Sequence, residues 1–85
     1  MKLPLIKHLL QFSKEHDEDF LLETAALLED LTEAPSLKDK ELDVIGELIS
    51  NIYGALEVQK TIDQGTAEKE ALNQFMKRVL GSIDS

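Results

Sequence analysis

Residues 41–65 read ELDVIGELISNIYGALEVQKTIDQG. At about 100° per residue, Leu42, Ile45, Leu48, Ile49, Ile52, Tyr53 and Leu56 fall on one stripe of a helix, which Val44, Ala55 and Ile62 widen. The apolar arc covers about half of the circumference, where an ordinary surface helix needs only about 100°. No strand-like alternation interrupts it, so the stretch is predicted to be one long helix of about 25 residues. Gly65 is the natural left-handed residue just past its end.

The same stretch contains two helix-interior glycines, each costing about 1 kcal/mol relative to alanine. Gly46, Ser50 and Gly54 recur every fourth residue and form a narrow stripe of small residues beside the apolar one. Together with Tyr53 they are the candidate seam for close helix packing, either within the chain or between copies.

The neighbouring segments carry helical spacing too. Downstream, Ala71, Leu72, Phe75, Met76, Val79 and Leu80 repeat at i, i+3 and i+4, with Thr66 as the expected cap and Gly81 as the expected end. The short Gly65–Thr66 link predicts that the last two helices form an αα-hairpin. Upstream, Pro4 suits a first helical turn, and Leu5, Ile6, Leu9, Leu10 and Phe12 share a face. Phe20, Leu21, Ala25, Leu27, Leu28 and Leu31 mark another segment, with Asp17 as its cap and Pro35 beyond its end. Leu5, Leu9, Phe12, His16 and Phe20 stay in phase, so residues 4–33 read equally as one bent helix or as two. Ser36 or Asp39 is the expected cap of the long helix. The fold class is therefore all-α: a small bundle of three long or four shorter helices with a C-terminal αα-hairpin, in a single domain over residues 1–85.

Charge narrows the partners. The net charge is −8, and residues 15–33 hold eight acids with no Lys or Arg. Such a surface repels phosphate backbones and anionic membranes, so neither nucleic acid nor membrane is an expected partner. Glu29, Asp30 and Glu33 stand where the helix dipole favours cations. They either meet Lys38 and Lys40 across the turn or form an acidic face for a basic protein partner. The absence of cysteine fits a reducing compartment, and the amphipathic N-terminal stretch lacks the small-residue cleavage site of a signal peptide. A cytoplasmic location is expected.

Catalytic and metal chemistry find little footing. His16 and Asp19 lie one helical turn apart, as do Glu15 and Asp19, but no second ligand pair follows, and the Glu-x-x-His spacing of helical di-iron sites is absent. The residues three and four after His8 are Gln11 and Phe12, too bulky for a phosphoryl-accepting histidine. No nucleophile elbow or phosphate loop occurs. No enzyme activity, metal or cofactor is expected.

The run from Glu41 to Ser82, preceded by TEAPSLKDKELD (residues 32–43) and by the start MKLPLIKHL (residues 1–9), resembles a small family of uncharacterised helical proteins of Bacteroidetes-type bacteria. The resemblance implies a small cytoplasmic bacterial protein and carries no functional residue. Wide apolar arcs on so short a chain favour a homo-oligomer, a dimer first. The expected function is a non-catalytic, self-associating protein-interaction module. The alternative is a helical protein that binds a metal or small molecule at a subunit interface.

Overall fold

A computed structural model of the chain describes the backbone of residues 2–84 and the side chains of residues 2–79. Four helices follow in order: α1 (Leu3–Glu15), α2 (Asp19–Leu31), α3 (Asp39–Asp63) and α4 (Glu68–Asp84). The long third helix is the spine, and α1, α2 and α4 each pack against it.

The bend left open by the sequence is a break. His16 adopts an extended conformation (φ −131°, ψ 180°) and its N–H closes the last turn on the Phe12 carbonyl at 2.9 Å. Three residues later α2 begins. Glu18, not Asp17, occupies the cap position, and Asp17 acts from one residue earlier: its Oδ1 accepts from the Asp19 N–H at 3.4 Å, while its carbonyl accepts from Phe20 at 3.1 Å. The aromatic residues that kept phase across the break still meet. The Phe12 ring lies 4.3 Å from His16 and 6.2 Å, edge-on, from Phe20.

The start of α3 differs from expectation. Lys38 occupies the cap position in an extended conformation, and Asp39 is the first helical residue. Glu41 reaches back instead, accepting the Lys38 N–H at 2.9 Å. At the other end Gly65 has φ +109°, its N–H bonds the Ile62 carbonyl at 2.9 Å, and the Thr66 N–H bonds the Thr61 carbonyl at 3.3 Å. This pair of bonds is the Schellman closure that a left-handed glycine permits. The Ala67 carbonyl accepts the first bond of α4, so Ala67, not Thr66, stands at its start. The helix then runs through Gly81 to Asp84. One glycine costs a helix about 1 kcal/mol, too little to end it alone.

Two apolar clusters result. Ile6 and Leu10 of α1 join Ala55 and Val58 of α3 and Ala71, Leu72 and Phe75 of α4. Leu21 and Ala25 of α2 join Ile52 of α3, with Leu9 touching this second group as well as the first. Full burial of each Leu, Ile or Phe contributes about 1.5–3 kcal/mol. Two ion pairs, Lys14–Glu68 and Glu57–Arg78, bridge the helices at the surface.

Candidate functional site

Asn51 is fully buried, the only polar side chain so placed among the described residues. Its Oδ1 accepts the Lys2 N–H at 3.0 Å, and its Nδ2 donates to the Glu47 carbonyl at 2.7 Å. Both ends of the amide are thereby satisfied, as burial requires. The bond also sets where α1 starts along the spine. From Asn51 onward, Ala55, Val58 and Ile62 lie in the core that α1 and α4 cover.

The spacing of that seam continues upstream of Asn51. Val44, Leu48, Asn51, Ala55, Val58 and Ile62 advance by alternating steps of four and three, a heptad-like stripe. Val44 is 59% exposed and Leu48 38% exposed, whereas Ala55 and Val58 are buried. One apolar seam is therefore half covered and half open, and the boundary is the Lys2–Asn51 bond.

A second open stripe runs along α2. Leu21, Ala25 and Leu28 turn toward α3. Phe20, Leu27 and Leu31 lie about 100° round from them and are 53%, 60% and 40% exposed. The two stripes share an edge. The Tyr53 hydroxyl donates to Glu29 Oε1, joining α3 to α2 along one edge of the pair. Glu18 lines the same surface cleft as Gln59 and Asp63 while Glu29 meets Tyr53, so the helices are antiparallel. A rotation away from that edge then carries Leu27 and Leu31 on α2, and Val44 and Leu48 on α3, to the opposite edge. Phe12 packs against Phe20 there. Six of the eight large exposed hydrophobic side chains among the described residues belong to this edge; Leu22 and Tyr53 do not.

The seam inferred from small residues is divided in its surroundings. Gly54 is buried, Ser50 and Tyr53 are exposed, and a methyl group placed on Gly46 would meet nothing within 4 Å in the chain. The Glu29 carboxylate beside the Tyr53 hydroxyl, first through the hydrogen bond, raises the phenol above its ordinary value of 10.0.

Glu29, Asp30 and Glu33 are exposed. Among the described residues no ion pair joins them to Lys38 or Lys40. Glu29 is turned to Tyr53, while Asp30 aligns with Asp19 and Glu23 on the stripe of α2 diametrically away from the core. Sequence reading missed this second grouping, although the spacing of four and seven residues contained it. No group of three or more His, Cys, Asp or Glu is placed to hold one metal ion among the described residues, and no helix there is long and apolar enough to cross a membrane.

Fold and surface define a small four-helix protein with one edge of its α2–α3 pair left uncovered. The chain belongs to a family of unknown function (DUF6952), whose model matches residues 1–84. No curated protein and no solved structure matches it.

Proposed function

We propose that this protein is a non-catalytic interaction module that associates with itself, and that its open apolar edge is the working surface. The observation that carries this reading is the half-covered seam: Val44 and Leu48 continue the stripe of Ala55 and Val58 but are exposed where those two are buried. Exposing contiguous large apolar side chains marks an association surface. A bacterial cytoplasmic setting, implied by the family resemblance and consistent with the absence of cysteine, belongs to the same reading. The outward stripe of Asp19, Glu23 and Asp30 would bias the choice of any further protein partner through association rate more than affinity.

Light scattering over a hundredfold range of concentration tests the reading. The expected result is a native mass at a multiple of the 9.5 kDa chain, at least at the upper concentrations. A mass of one chain throughout would refute self-association.

A further inference from the structure

The chain as a whole exposes more surface than its size requires. The chain exposes 5991 Å². A compact monomer of 9.5 kDa is expected to expose about 5,000 Å², so roughly 900 Å² is in excess. The Cα radius of gyration is 13.9 Å where about 12 Å is usual for this length, and the shortest dimension is 17 Å, no more than two helix layers. Stable pairwise interfaces cover about 800 Å² on each partner. The excess, summed over the whole chain, is of the order that one face of a standard dimer covers.

The character of the edge selects the occupant. It presents two apolar rows, Phe20–Leu27–Leu31 and Val44–Leu48, on two antiparallel helices. The acids Asp19, Glu23 and Asp30 lie on a different stripe, turned away from the core. A basic protein partner would be drawn to those acids and would not need the apolar rows, and a nucleic acid would be repelled by them. Ridges of this kind on one helix pair fit the grooves of an identical pair across a twofold axis.

Resting on the self-association reading above, we propose that a second copy of this chain seats on the Leu27–Leu31 and Val44–Leu48 edge, so that two α2–α3 pairs form an intermolecular four-helix core. The edge bearing Gly46, Ser50, Leu22 and Tyr53 stays outside that core. The twofold places each substitution at the interface twice, once from each copy.

Four variants of the full chain separate the two edges: Leu27→Glu and Val44→Glu on the proposed face, Leu22→Glu and Ser50→Glu on the other. All four positions are exposed, and circular dichroism with thermal melting verifies that each variant folds. The native mass and dissociation constant are read by light scattering and sedimentation. Leu27→Glu and Val44→Glu are expected to weaken the dimer by about a hundredfold or more, because each places an unpaired carboxylate in the apolar interface twice. Leu22→Glu and Ser50→Glu are expected to leave it within about threefold, as peripheral positions do. Should the native chain be a dimer that Leu27→Glu and Val44→Glu leave intact, the assignment of this edge is wrong while self-association stands. A monomeric native chain overturns both, and an apolar edge that instead binds a different protein would be seen as that result. If Leu27→Glu or Val44→Glu fails to fold, the same face is read with Leu27→Ser and Val44→Ser, for which at least tenfold weakening is required.

Discussion

The Asn51 side-chain oxygen accepts the backbone N–H of Lys2 at 3.0 Å, joining the first residue before α1 to the middle of α3. This bond fixes the register of α1 on the spine. It also marks the point where the apolar seam of α3 passes from covered to open. A single polar residue thus stands at the border between the core of the chain and its association surface, the register-setting use best attested for a buried asparagine in a helical seam.

Removing that border residue should be costly. Asn51→Ala leaves the Lys2 N–H without its acceptor and opens a space in the seam. A loss of about 2–3 kcal/mol in unfolding free energy is expected, measured by urea denaturation. A loss below about 0.5 kcal/mol would show that solvent satisfies the Lys2 N–H equally well.

The glycines of α3 and its C-terminus should respond in opposite directions. A methyl group at Gly46 meets open space, so Gly46→Ala should stabilise the chain by about 0.5–1 kcal/mol through helix propensity. Gly65, at φ +109°, cannot take a side chain without strain. Gly65→Ala should destabilise by about 1 kcal/mol or more. Parallel thermal and urea unfolding curves measure both. Destabilisation at Gly46 would mean that another surface lies against it.

Tyr53 gives a pH-dependent signal of its own. It is the only tyrosine and the chain has no tryptophan, so phenolate absorbance reports this one group. Its midpoint should lie above 10.0 and return toward that value in Glu29→Gln, where the carboxylate is gone. The native state holds the phenolic proton more tightly than the unfolded state. The small stabilisation is therefore fully present below pH 10.0 and is lost as pH rises through the raised native value. A midpoint at or below 10.0 in the native chain would break the Tyr53–Glu29 relationship.

Salt separates apolar self-association from charge pairing. Two chains of net charge −8 repel each other. Raising ionic strength from about 0.01 to 0.15 M shortens the Debye length from about 30 to 8 Å and should tighten the dimer severalfold. Sedimentation equilibrium at each salt concentration measures this. Weakening with salt would point to opposite charges holding the copies together.

Much of the fold was legible in the sequence because helical spacing and end signals are local. The αα-hairpin of α3 and α4 and the role of Gly65 follow from residues within one turn of each other. The break between α1 and α2 was less legible, since Leu5, Leu9, Phe12, His16 and Phe20 keep phase whether the helix bends or stops. Phase survived as ring contacts across the break. The start of α3 misled because Ser36 and Asp39 both suit a cap, while Glu41 reaches back from the third helical position. The open edge could not be read at all from one helix. Val44 and Leu48 have the same periodicity as Ala55 and Val58, and only the starting point of α1 distinguishes them. Glu29 stands beside Asp30 and Glu33 in the sequence, yet its partner is Tyr53, 24 residues away.

The most direct measurement is a dilution series of amide NMR spectra of the isotope-labelled chain over a hundredfold range of concentration. The expected result is concentration-dependent shifts that cluster at Phe20, Leu27, Leu31, Val44 and Leu48, with Gly46, Ser50 and Leu22 little changed. Spectra that do not change while the mass stays that of one chain, or shifts confined to the Gly46–Ser50 edge, would contradict it.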